Sequence, residues 1–101
     1  MDKFIQVAES ARVRERFGYA VTCAGQSIVL FRHKGKVYAL NNRCPHQAAP
    51  ISDGYVENGY AVCPHHGWKF KLSDGSFIGN ELLRIPTYAV KEENGFIHIQ
   101  I

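Results

Sequence analysis

The sequence predicts an all-β domain, a sandwich or small barrel of antiparallel strands. Short runs rich in β-branched and aromatic residues recur between turns that contain Gly or Asn. No stretch carries an apolar stripe wide enough to seat a long helix against a core. The length, 101 residues, fits one domain that can bury a modest core without disulfides. Apolar residues at 46% and charged residues at 21% are ordinary globular values.

Taken in chain order, the first candidate element is the stretch 8–17, "AESARVRERF", with Ser10 as a possible N-cap. Its apolar positions are too few to bury a stripe, so a turn or short helix is the most it predicts. A strand follows at 18–24, ended by Gly25-Gln26. The runs 27–33 ("SIVLFRH") and 36–41 ("KVYALN") form a hairpin around Lys34-Gly35. Asn58-Gly59 and Asn94-Gly95 suit the two positive φ angles of a type I′ turn. They pair "GYVE" with "YAVC", and 88–92 with 96–101. No low-complexity segment or linker divides the chain.

The formal net charge is +3, and the first fifty residues carry it: eight Lys/Arg against three Asp/Glu, then four against six. This balance is too mild to imply nucleic-acid binding, and it fits a solvated basic face or a docking surface for an acidic partner. The N-terminus has no apolar signal region, and no apolar run approaches membrane-spanning length. The expectation is a cytoplasmic monomer without a membrane partner. In that compartment thiols stay reduced, and clustered cysteines point to metal before disulfide.

Such a cluster exists. Two of the three cysteines and three of the five histidines lie in "CPHQAAPISDGYVENGYAVCPHHGW", residues 44–68, which holds two near-copies of one phrase. A Cys and a His separated by one or two residues in a loop can face one metal ion, and Pro45 and Pro64 stiffen those loops. Asn58-Gly59 folds the intervening chain back, so Cys44, His46, Cys63 and His66 can converge. Two sulfurs and two nitrogens suit tetrahedral zinc, or a two-iron, two-sulfide cluster with histidines replacing one cysteine pair. Structural zinc sites usually keep paired cysteines in one knuckle and paired histidines in the other, whereas here each supplies one of each.

The spacing C-x-H, sixteen residues, C-x-x-H, with its flanks "CPHQAAPISDGY" and "CPHHGWKFKLSDG", closely resembles the Rieske [2Fe-2S] family. Outside the motif, "SIVLFRHKGKVYALNNRC" and "IPTYAVKEENGFIHIQI" look like the base sheet of stand-alone Rieske ferredoxins, so the resemblance covers nearly the whole chain. It implies a Rieske-type fold over 1–101. The base would be 1–42 and 77–101, a sandwich or small barrel, with a cluster-binding subdomain inserted at 43–76. It implies that Cys44 and Cys63 bind one iron and that His46 and His66 bind the other. His65 does not match the ligand spacing and reads as a loop residue near the cluster.

Respiratory and photosynthetic members of the family carry an additional cysteine in each cluster loop, joined as a disulfide. Here those places hold Ala49 and His65. The same high-potential proteins offer a serine and a tyrosine hydroxyl after the second motif, where this chain has Trp68 and Phe70. Hydrogen bonds to sulfur stabilise the reduced cluster, so their loss predicts a potential toward the lower end of the roughly −150 to +300 mV Rieske range. With neutral imidazoles the oxidised cluster is neutral, and an electron enters more easily than with four thiolates. No coordination position stays open for substrate.

The resemblance therefore implies a one-electron carrier, not an enzyme. It would take electrons from a flavoprotein ferredoxin reductase and pass them to a terminal oxygenase or similar enzyme. A second reading is the small subunit of an assimilatory nitrite reductase, bound to its large subunit. A third is a zinc-stabilised interaction module. An oxygenase catalytic subunit would need further chain for a mononuclear iron domain. Among the remaining conspicuous residues, Cys23 reads as a buried small hydrophobe, His33 as a turn residue and His98 as a strand residue. Trp68 reads as a shield over the cluster loop, and Gly54, Gly67, Gly75 and Gly79 as servants of tight loops. "GNELLRIP" lies where the family often has a proline-containing covering loop.

Overall fold

Among the residues that the computed structural model describes, 3–44, 50–64 and 67–101, the chain forms eleven β-strands and two short 3-10 turns. The strands are β1 (Phe4–Glu9), β2 (Tyr19–Cys23), β3 (Gln26–His33), β4 (Lys36–Asn41), β5 (Tyr55–Glu57), β6 (Tyr60–Val62), β7 (Lys69–Lys71), β8 (Ser76–Phe77), β9 (Asn80–Arg84), β10 (Thr87–Glu93) and β11 (Phe96–Gln100). They build two antiparallel sheets. One has the order β1-β11-β10-β4-β3-β2, and its edge strands β1 and β2 approach each other, so that it nearly closes into a barrel. The other has the order β5-β6-β7-β8-β9 and is inserted between β4 and β10.

Four two-residue turns do the reversing. Ala24-Gly25, Lys34-Gly35, Asn58-Gly59 and Asn94-Gly95 each place both residues at positive φ, between 51° and 83°. That is the type I′ geometry, whose twist matches the right-handed twist of the flanking strands. The hairpin 27–33 with 36–41 forms as expected, as do the pairings of β5 with β6 and of β10 with β11. The strand expected at 18–24 is β2, but its turn is Ala24-Gly25, because Gln26 already pairs with Cys23. The stretch 8–17 begins within β1 and carries a single 3-10 turn, Ser10–Arg12, consistent with its lack of an apolar stripe; the cap position is Glu9, without a side-chain bond, and not Ser10 as expected.

β3 explains how one small chain holds two cores. Its residues Ile28, Val29, Leu30 and Phe31 are all fully buried, and strand alternation sends them in opposite directions. Ile28 and Leu30 join Val37, Ala39, Ile97 and Ile99 inside the barrel. Val29 and Phe31 join Leu40, Ile51, Val56, Phe70 and Leu72 beneath the second sheet. An apolar run too continuous for a half-exposed strand is thus the wall shared by both layers.

The pole of the barrel far along β3 is closed by Arg32. Its guanidinium donates to the carbonyls of Val13 (2.8 Å), Ser10 (3.1 Å) and Gly35 (3.0 Å). It also holds Glu92 of β10 with both terminal nitrogens, at 2.8 and 3.3 Å. Arg16, at φ 76°, links the sheets: its N–H donates to Arg32 in β3 and its carbonyl accepts from Val56 in β5.

Candidate metal centre

Each cysteine of the doubled phrase sits where a strand has just ended. Cys44 lies three residues beyond β4, and Cys63 lies one beyond β6. Both are buried, at 1% and 0% exposure, in the same apolar cluster as Val29, Phe31, Leu40 and Phe70. The β5–β6 hairpin turning at Asn58-Gly59 therefore brings the second cysteine into the packing unit of the first, as its sequence position predicts. His46 and His66 lie outside the described residues, as do Pro45, Ala49 and His65.

The necks of the two loops are closed by hydrogen bonds. In the first, Arg43 and Pro50 form an antiparallel bridge, and the Ile51 N–H donates to the Asn42 carbonyl at 3.2 Å. The Asn42 side chain, 6% exposed, donates to the hydroxyls of Ser27 and Ser52, both at 3.1 Å, and accepts from the Ser52 N–H at 2.7 Å. In the second, the Cys63 N–H donates to the Trp68 carbonyl at 2.7 Å. Gly54 joins the two: a methyl group there would overlap the Val62 carbonyl oxygen, so only glycine lets the chain pass this close.

Aromatic rings back the second loop. Trp68 packs on Phe77 with centroids 4.5 Å apart, and Phe70 lies 5.7 Å from Phe77. Trp68, which the sequence suggests as a shield over the cluster loop, is part of a cluster of three tilted rings. Phe77 enters it because β7 and β8 pair Phe70 with Phe77, a register with no local sequence signal. "GNELLRIP" forms β9 and runs back along β8, with Leu82 96% exposed. Cys23 is buried in β2 and His98 falls in β11, whereas His33, expected in the turn, is the last residue of β3 and pairs with Lys36. Asn42, Ser27 and Ser52 escape a reading of the sequence for ligands. Their only signal is a polar pair, Asn41-Asn42, ending an apolar strand just before Cys44.

Two carboxylates are held below the usual range. Asp74 accepts from the Ser76 hydroxyl at 2.7 Å and from the Ser76 N–H at 2.9 Å, and these bonds stabilise its charged form. Glu92 is lowered chiefly by its bonds to Arg32.

A family model described as the Rieske [2Fe-2S] domain matches residues 3–89. The chain belongs to this family. The ferredoxin component of a naphthalene 1,2-dioxygenase system from Pseudomonas putida is 33% identical to this Rieske domain over 93 residues, covering 91% of the chain and 89% of that protein. A 4β-methylsterol monooxygenase from Methylococcus capsulatus is 41% identical over 100 residues, but the chain spans only 26% of its length. Among solved structures, the Sphingomonas yanoikuyae B1 ferredoxin superposes with a TM-score of 0.87 at 25% identity, with 98% and 99% of the two chains covered. A putative NADH-dependent nitrite reductase small subunit from Mycobacterium tuberculosis shares the fold, with a TM-score of 0.92 at 23% identity and coverage of 100% and 96%.

The described residues of this Rieske domain fit a two-iron, two-sulfide cluster on chemical grounds. Cys44 and Cys63, both buried in one apolar unit, are the two described residues of the expected ligand set, and as thiolates they would hold one iron of such a cluster. The apolar and aromatic packing around them limits water access, a lever on cluster potential.

Proposed function

We propose that this Rieske domain is a one-electron carrier that holds its cluster through Cys44, His46, Cys63 and His66. Cys44 and Cys63 bind one iron, and His46 and His66 bind the other. When bound, the cluster accepts and releases single electrons. The protein's part is to bury the two sulfurs and to keep both loops closed, so that little reorganises as charge changes. Residues 43–76 act as the cluster-binding subdomain, inserted into a base of 1–42 and 77–101, although the second sheet itself runs past that bound to Arg84. One observation carries the reading: the match to a dioxygenase ferredoxin component runs nearly end to end on both chains. The partners of such a carrier are a flavoprotein reductase as donor and a terminal oxygenase or similar enzyme as acceptor, met in the cytoplasm by a monomer.

The test is spectroscopic. Purified protein is red-brown with two irons and two acid-labile sulfides per chain. Dithionite bleaches it, and the reduced form gives a rhombic paramagnetic resonance signal. Colourless protein with stoichiometric zinc overturns the reading. The reduction potential falls below about +100 mV, inside the lower part of the Rieske range, because Phe70 offers no hydroxyl to the cluster sulfurs. His66→Cys lowers it further by adding negative charge, and an unchanged potential removes His66 from the ligand set.

The second reading, a nitrite reductase small subunit, is favoured by the fold match alone. The two differ in partner behaviour. A carrier makes small contacts that weaken with salt, and a subunit co-purifies with its large partner.

A further inference from the structure

Among the described residues the only polar residues buried as a whole are Asn42 and Ser76. Ser76 serves a local turn with Asp74. Asn42 serves no turn of its own. It reaches 15 residues back to Ser27 at the start of β3 and 10 residues on to Ser52 in the second 3-10 turn. Its three bonds use both faces of the carboxamide, two donated by Nδ2 and one accepted by Oδ1. Its backbone adds two more across the same gap, donating to Ser27 at 3.0 Å and accepting from Ile51 at 3.2 Å.

Ser52 is itself seated tightly. A methyl group on Gly18 would lie 2.8 Å from Ser52 Cα and 3.0 Å from a Val29 methyl, so the turn bearing Ser52 rests on bare backbone of the barrel. Two residues on, Gly54 abuts the Val62 carbonyl beside Cys63. A continuous path of contacts thus runs from Ser27 through Asn42 and Ser52 to Gly54 and Val62, touching the neck of both cysteine loops.

We propose that Asn42 is the positioning residue of the centre, a clasp that fixes the Cys44 loop to the barrel and registers it against the Cys63 loop. The proposal rests on the cluster reading above, with Asn42 touching no iron and acting through the main chain that carries Cys44 and Cys63. Its carboxamide suits the task because a buried group that donates twice and accepts once must find all its partners in one arrangement. Apolar packing alone would let the loop slide. A clasp of this kind holds the sulfurs in place before iron arrives and keeps them there when the charge of the cluster changes.

The experiment compares Asn42→Ala, Ser27→Ala, Ser27→Thr and a control, Arg32→Ala, which loosens the opposite pole of the barrel. Iron and sulfide content of the wild type comes first: if it holds no iron, the cluster reading fails before the clasp is tested. With wild type loaded, Asn42→Ala loses cluster to a chelator about tenfold faster, in the range for groups that orient metal ligands. Its paramagnetic resonance lines broaden or shift. Ser27→Ala moves both in the same direction by less, and Ser27→Thr, which keeps the hydroxyl, restores wild-type behaviour. Arg32→Ala lowers the melting temperature without changing either readout. In metal-free protein the Ser52 amide exchanges faster in Asn42→Ala than in wild type, a readout that needs no cluster. The clasp is overturned if Asn42→Ala keeps the wild-type loss rate and spectrum, or if Arg32→Ala changes them equally, which would reduce Asn42 to a general contributor to stability.

Discussion

The barrel and the inserted sheet solve the same problem, burying apolar strand faces in a small chain, with different means. In the barrel, strands of five to eight residues pair over five or six positions at every seam but the two-pair one between β10 and β4, and one ionic node at Arg32 closes the end. In the inserted sheet the strands run to two, three or five residues. Two- and three-residue strands cannot hold a register through their own ladder. They are held by point devices: the Asn42 clasp, the Gly54 contact, the Cys63–Trp68 bond and the three aromatic rings. A long ladder spreads its stability, whereas point devices concentrate it. The inserted sheet should therefore open first, and single substitutions there should have local and large effects.

The largest effect breaks the proposed centre. Cys44→Ser or Cys63→Ser leaves the protein without cluster, iron content near zero and no visible absorption. The comparison is sharpened by amide exchange: Ile28 to Phe31 in β3 keep most of their protection, while the Cys63 and Leu72 amides lose theirs. Loss of protection throughout would show that the two sheets unfold as one unit and that the division is only topological. Next is Gly54→Ala, which must displace the Val62 backbone. It costs about 3 kcal/mol or more by denaturant melt, at or above the usual range for overpacking, and lowers cluster retention. A cost under about 1 kcal/mol would mean that the loops have slack.

That contrast also decides what the sequence made legible. Barrel strands were readable because alternation and type I′ turns are local signals, as in the run from Ser27 to Asn41 around Lys34-Gly35. β1 was missed because its bulge between Gln6 and Ala8 interrupts the alternation, and its partner β11 is distant in sequence. β7 and β8, of three and two residues, carry almost no pattern, and β9, exposed at four of its five positions, shows no alternation of apolar and polar residues. At the centre, Cys44 and Cys63 were readable as a spaced motif. Asn42, Ser52 and Phe77 were not, since each acts through a partner 7 to 15 residues away whose proximity only the fold creates.

Smaller effects belong to the barrel pole. Arg32→Ala removes the pair with Glu92 and three bonds to carbonyls, and the side chain is 17% exposed. The expected loss is about 2 kcal/mol of stability, near the value for hydrogen bonds to a charged group with allowance for partial exposure. Reduction potential should stay at the wild-type value. A moved potential would mean that the barrel transmits strain to the centre through β3, and the contrast between spread and concentrated stability would fail there.

The smallest expected effect is a pH dependence at the same node. Glu92 is held below the ordinary glutamate range by its bonds to Arg32, with partial burial opposing. A carboxyl whose value is depressed on folding contributes stability in full above its unfolded value, about 4.3, and loses it as pH falls through the lower folded value. Wild type should therefore lose stability on acidification below about pH 4.3 faster than Glu92→Gln does. At neutral pH the glutamine variant should be the less stable by about 1 kcal/mol, since its pair is partly exposed. The two melting curves then converge in acid. Parallel curves across that window would show that Glu92 titrates alike in the folded and unfolded chain, and that Arg32 holds the pole through the carbonyls of Ser10, Val13 and Gly35 alone.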